Sequence, residues 1–245
     1  MIGGDYVEKE KNYELRDVLK GFSVIFVYLI ISALPYDVLS IFGINYNNLN
    51  IISKQIYLIF YEVFLTLIIV YIYRKDIMTN FKDFKKNIKK YLSKYFKYWI
   101  LMFGLMSISN MIVTMFTTTE VAQNQQSIVE TLGIAPIYTI ILTIFTAPIL
   151  EELVFRLSFR KIFKHTNILY VIFSGLFFGA MHVLGTCTNL VDLLFIIPYS
   201  IPGFVFAYCH IKSKNIFVPI SLHFIHNTIM MALQILLLLF VWQKV

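Results

Sequence analysis

The sequence predicts an all-α, polytopic integral membrane helix bundle of about seven transmembrane helices, within a range of six to eight. Three observations carry this. Hydrophobic residues make up 58% of the 245 positions, charged residues only 14%, and the mean hydropathy is +0.73. Soluble domains average about 45–50% apolar and about 25% charged, so a soluble globular enzyme and a disordered chain are both excluded. The third observation is that apolar runs of about twenty residues, the length that crosses a bilayer as a helix, follow one another along the chain. They fall at about 21–44, 52–73, 98–118, 134–157, 168–187, 191–211 and 216–241.

The first run follows a charged stretch, Met1 to Lys20. It is too long for a signal-peptide core and lacks a small-residue cleavage site, so it is expected to be a retained anchor. Cys187 and Cys209 sit in apolar stretches without CxxC spacing, which argues against a disulfide framework or a cysteine-rich metal site.

Basic residues set the orientation. Eighteen of the 21 Lys and Arg residues fall on one side of the seven-span arrangement, leaving Lys54 and Lys244 on the other and Arg156 within a span. The positive-inside rule then puts the N-terminus in the cytoplasm and the C-terminus outside the plasma membrane. The net charge of +7 is concentrated at the ends of spans, as for an anionic cytoplasmic leaflet. No nucleic-acid partner is expected. Segment 74–97 repeats Phe81, Phe84, Ile88, Leu92, Tyr95 and Trp99 at three- and four-residue steps among lysines, the pattern of an amphipathic helix lying on that leaflet.

Ionisable residues inside apolar spans carry the functional signal, because a charge at mid-bilayer is costly. The fourth span contains Glu151, Glu152 and Arg156, the fifth Phe178 and His182, the seventh His223, His226 and Asn227. Glu152 and Arg156 are four apart in the favoured acid-before-base order and can neutralise each other. Glu151 points about 100° away around the helix and lacks that partner. A carboxylate without a cation in an apolar cavity is a stronger base than a solvated one. His223 and Asn227 share one helix face, as do Phe178 and His182. A Glu base, two imidazoles and an amide can converge between helices to activate water and hold an oxyanion. By depth, His182 lies further in than Glu151 and His223 unless its span starts later. His165 and His210, at loop edges, are expected to be solvated or interfacial; His226 either faces a neighbouring helix or packs.

At these residues the sequence resembles the CPBP family, the type II CAAX prenyl endopeptidases and bacteriocin-processing enzymes, also called Abi. Its motifs EExxxR, FxxxH and HxxxN occur here in order as Glu151-Glu152-x-x-x-Arg156, Phe178-x-x-x-His182 and His223-x-x-x-Asn227. Ala147-Pro148, Ser174-Gly175 and the small residues Gly203 and Ala207 are also similar. The resemblance covers about residues 134–235. It implies an N-terminal region, 1–133, with three transmembrane helices and the basic segment, followed by a catalytic bundle, 134–245.

The resemblance implies an intramembrane endopeptidase acting on a small membrane-associated peptide or protein, such as a bacteriocin or pheromone precursor. Glu151 would activate water with His182, His223 and Asn227 would hold the oxyanion, and Glu152, Arg156 and Phe178 would support the site. No cofactor is expected; the alternative is Zn2+ held by Glu151, His182 and His223. The rival function is a non-catalytic membrane protein of bacteriocin self-immunity or partner-helix scaffolding.

Overall fold

In the computed structural model, which describes residues 2–117 and 122–242 with side chains between 14 and 240, the chain is helical throughout its apolar runs. Lys9, Lys11 and Lys244, which entered the charge count, lie outside the described side chains. Six helices are long and apolar enough to cross a membrane, or seven if one bent pair forms a single span. The protein is thus a multi-pass membrane helix bundle.

The bent pair is the first span. Helix α1 (Ile2–Ala33) starts well before residue 21 and stops at Leu34, where the chain turns by 68° into α2 (Pro35–Ile41). Pro35 is the reason: a proline suits the first turn of a new helix but disfavours helical geometry in the residue before it. Helix α3 (Ile51–Ile72) is opened by Asn50, whose side chain accepts the Ser53 amide at 2.9 Å.

The next helix corrects the sequence reading. Segment 74–97 is not a separate interfacial helix but the first half of a continuous 41-residue helix, α4 (Arg74–Thr114). Part of its aromatic stripe packs on protein. Phe84, Tyr95 and Trp99 are buried in a cluster with Phe206, Val218 and Leu222, while Phe81 and Ile88 stay exposed. Asn215 fixes the register, donating to the Asn80 carbonyl and to Asp83 Oδ2, both at 2.8 Å, while Asn80 Oδ1 accepts the Ile216 amide.

Helix α5 (Gln123–Ile134) had no counterpart in the hydropathy pattern; it ends at Ala135, again before a proline. The fourth span is α6 (Pro136–Ile162), which ends five residues beyond the expected limit. It is not a uniform α-helix: Ile141–Thr146 and Leu153–Ser158 are π-helical, flanking the Ala147–Glu152 turn that carries both acids. Widened turns of this kind gather at functional sites. Then follow α7 (Asn167–Leu184), a short 3-10 turn (Leu190–Phe195), α8 (Ile196–Ser213) and α9 (Phe217–Trp242).

At the basic end, Lys161 of α6 lies 2.8 Å from Asp17 of α1 and 3.8 Å from Asp76 of α4, with Lys20 also near Asp76. Tyr73 and Ser158 share a buried hydroxyl hydrogen bond of 2.7 Å, tying the α3–α4 corner to α6.

Helices α7 and α8 approach closely at their glycines. A Cβ placed on Gly203 would come within 2.7 Å of the Gly175 Cα, and one on Gly179 within 2.7 Å of the Ile196 carbonyl. Small residues let membrane helices approach so closely, and dispersion contacts hold them there. Gly203→Val therefore has backbone, not a yielding side chain, to displace. It is expected to cost about 1–3 kcal/mol of overpacking, read as a lowered Tm of the purified protein in detergent; Gly104→Ala, where an added Cβ meets nothing within 4 Å, is the comparison.

Candidate active site

The three motif helices meet around one buried guanidinium. Arg156 and Glu152 have no exposed surface, and Arg156 Nε lies 2.9 Å from Glu152 Oε2. The guanidinium sits over the rings of Phe178 (4.8 Å) and Phe206 (5.7 Å), so two aromatic faces supplement its single carboxylate. The other oxygen of Glu152 accepts from His223 Nδ1 at 2.9 Å. The ion pair makes Glu152 the acceptor and His223 Nδ1 the donor.

Glu151, one residue earlier, turns away from Arg156. Its Oε2 is buried and has no hydrogen-bond partner among the described residues. It faces His182 Nε2 at 3.8 Å and His223 Nε2 at 4.0 Å. His182 Nδ1 donates to the Phe178 carbonyl one turn back at 2.8 Å, and its ring lies between Phe178 (4.4 Å) and Tyr199 (5.2 Å). The His223 ring stacks on Phe206 at 5.2 Å. Both imidazoles are therefore held by their Nδ1 side and turn Nε2 towards one carboxylate oxygen.

Asn227, one turn beyond His223, donates an amide N–H to the Thr143 carbonyl at 2.8 Å. The backbone explains why that carbonyl is available. Ala147 N–H bonds to Leu142, so the next donor in the π register would be the amide of Pro148, which has none. Asn227 fills the vacancy and keeps its second N–H. The second π-helical turn is served likewise: Ser174 of α7 donates to the Phe155 carbonyl at 2.6 Å.

Glu151, His182, His223, Asn227 and Phe178 all line one cavity of about 600 Å³. Helix α6 runs on to Ile162, five residues past the expected end, which narrows the mismatch in depth between Glu151 and His182, although α7 starts at Asn167, one residue earlier and not later than expected. His226 lines the same cavity, its ring edge-on to Trp99 and Phe103. His165 is exposed and bonds Glu14, as expected of an interfacial residue. His210 is a correction: it is buried and hydrogen-bonded to Tyr170 at 2.8 Å, in the core rather than at the surface. Sequence reasoning also missed Glu62, which lines this cavity from α3; its signal was a lone acid in the middle of an apolar span.

Two His and one Glu are a chemically suitable zinc donor set, but their spacing is wide for one ion. At Zn–ligand lengths of 2.0–2.1 Å, the two observed separations would require angles of roughly 135–155° instead of a tetrahedral ~109°. Among the described residues no group of three or more His, Cys, Asp or Glu converges on a metal position.

Fold and geometry thus define a membrane helix bundle with a carboxylate–imidazole centre on a partly open cavity between helices. Residues 133–229 match the family model described as type II CAAX prenyl endopeptidase Rce1-like, the family that the three motifs resemble. The chain is also 31% identical over 116 residues to a Bacillus subtilis (strain 168) protein described as "Putative membrane peptidase YdiL". That alignment covers 46% of this chain and 44% of the relative, so the chain spans less than half the length of the protein it matches. No solved structure matches the chain.

The Arg156–Glu152–His223 chain gives a stability prediction. Arg156→Met leaves Glu152 as a buried charge with no cation, which costs about 3–5 kcal/mol. Adding Glu152→Gln to that variant should recover much of the loss, because the orphaned charge disappears. Thermal unfolding of the two variants in detergent reads the difference; equal Tm values would mean that the pair is not held as described.

Proposed function

We propose that the chain is an intramembrane endopeptidase that hydrolyses a peptide bond in a small membrane-associated peptide or protein, such as a bacteriocin or pheromone precursor. The observation that carries this is the unpartnered Glu151 carboxylate on the cavity wall, faced by two imidazoles whose other nitrogens are already engaged. The family match over 133–229 supports the reaction class.

A water molecule at an ordinary hydrogen-bond length of about 2.8 Å from both Glu151 Oε2 and His182 Nε2 would subtend about 90°, a geometry that water accepts. Glu151 takes one proton as the water oxygen attacks the scissile carbonyl carbon. The oxyanion is met by the second N–H of Asn227 and by His223, whose Nδ1–H stays on Glu152. The C–N bond then breaks, and the proton held by Glu151 passes to the leaving amine. Glu152, Arg156 and Phe178 position His223 and His182. In this reading no metal takes part, and the donor spacing is the reason.

We read the N-terminus as cytoplasmic, the C-terminus, after seven spans, as outside, and the site as lying in the plasma membrane and reached from its anionic cytoplasmic leaflet, a reading that the basic span ends support. The substrate partner is the peptide itself.

Glu151→Gln is expected to slow cleavage by about 10²–10⁴-fold. Membrane and secreted peptidomes of the host, with wild type or Glu151→Gln at equal levels, read this as one precursor that accumulates and one product that vanishes. Identical peptidomes, with a deletion phenotype that the variant rescues, would instead favour the non-catalytic immunity or scaffold function. Asn227→Ala should lower kcat by about 10²–10³-fold with little change in KM, as loss of an oxyanion donor does. Full activity after exhaustive chelation, with no stoichiometric zinc by elemental analysis, is expected; zinc lost together with activity on His182→Ala would overturn the metal-free mechanism.

A further inference from the structure

The reaction centre occupies only part of its cavity. Elsewhere the wall is built by helices outside the motifs: Ser32 from α1, Glu62 from α3, Asn110 from α4, and Asn124 and Gln125 from α5. Glu62 differs from these neighbours in carrying an ionisable group. Besides Lys54 near the helix start, it is the only charged residue of α3, and it sits near the middle of that span. Its backbone carbonyl accepts the Thr66 hydroxyl, but its carboxylate has no ion pair or hydrogen bond among the described residues. The contrast with Glu152 is direct: that fully buried acid has its cation, whereas the partly buried Glu62 has none among the described residues.

An ionisable residue at mid-membrane depth is expensive, and those that persist face a cavity and meet a partner there. Glu62 faces the cavity, and none of the described residues supplies a cation to it. A cavity of about 600 Å³ is large enough to admit the side chains of an extended peptide beside the reaction centre. We propose that Glu62 is a substrate-selecting residue, its carboxylate receiving a cationic group of the bound peptide, an ammonium or guanidinium, while amides elsewhere on the wall, Asn110 and Gln125, bind peptide backbone. This rests on the endopeptidase reading and adds the charge class of its substrate. Such a contact discriminates strongly, because an uncharged side chain leaves the carboxylate desolvated and unpaired.

The test uses the full-length protein in proteoliposomes. Paired synthetic peptides differ only in Lys, norleucine or Glu walked through each position, with free or acetylated N-termini, and cut sites are read by mass spectrometry. Wild type should favour Lys over norleucine at one fixed distance from the cut. If acetylation instead removes the preference, the cation is the peptide's terminal amine. Glu62→Gln should reduce the Lys-to-norleucine ratio of kcat/KM by roughly tenfold or more, and Glu62→Lys should turn the preference towards Glu. A wild-type ratio near one, or an unchanged ratio in Glu62→Gln whatever the overall rate, would overturn the assignment. If no peptide is cut by wild type, the endopeptidase reading fails with these probes, yet the assignment is still decided by fluorescence anisotropy. Labelled Lys peptides must then bind wild type more tightly than norleucine peptides, and that difference must be lost in Glu62→Gln; otherwise the proposal falls.

Discussion

A guanidinium without exposed surface inside a membrane bundle dictates much of what surrounds it. Arg156 needs a counter-charge at its own depth, and one carboxylate on its own helix provides it. Glu152 then has one oxygen left, which fixes His223 and with it the rotation of α9. The flat faces of the cation are covered by Phe178 from α7 and Phe206 from α8. A single buried charge thereby sets the relative placement of four helices. It also divides the adjacent acids: Glu152 is consumed by the ion pair, and Glu151 is left facing the cavity.

The backbone imposes a second constraint. In hydrocarbon an unpaired carbonyl is costly, so a carbonyl freed by an irregular turn needs another donor. Helix α6 has two such turns, and each recruits one. Asn227 reaches the Thr143 carbonyl that Pro148 leaves without a donor, and Ser174 reaches the Phe155 carbonyl. The Ala147-Pro148 pair ahead of the acids thus has a structural consequence: it opens the helix where Asn227 is to be held. Asn227 spends one N–H on architecture and has another facing the cavity.

The sequence was legible where one residue or one helix face decides the outcome. Hydropathy alone located the apolar spans, and the four-residue spacing of Glu152 and Arg156 anticipated their pairing. The amphipathic stripe of 74–97 was harder, since Phe84 and Tyr95 would repeat at the same spacing whether they faced lipid or protein. Only the Asn215 clip to Asn80 and Asp83, across more than 130 residues, makes the difference. His210 failed for a related reason. Its place near a helix end suggested water, but Tyr170 from another helix closes over it. Glu62 was passed over because no local pattern surrounds it; its context comes from the other helices that line the cavity.

That contrast bears on how the two parts of the chain divide their work. The segment matching the family model, 133–229, contains Glu151, His182, His223 and Asn227, the whole proposed reaction centre. Much of the remaining wall, including Tyr28, Glu62, Phe103 and Asn110, comes from helices before that segment. Reaction chemistry tolerates little variation in geometry, whereas a binding wall must change with each ligand. A bundle that keeps its charged keystone and its two served carbonyls in α6–α9 can therefore alter α1, α3 and α4 without disturbing Glu151. On this division, selectivity is read from the part of the chain where the motifs are silent, and a lone carboxylate in an otherwise apolar span is how that part speaks.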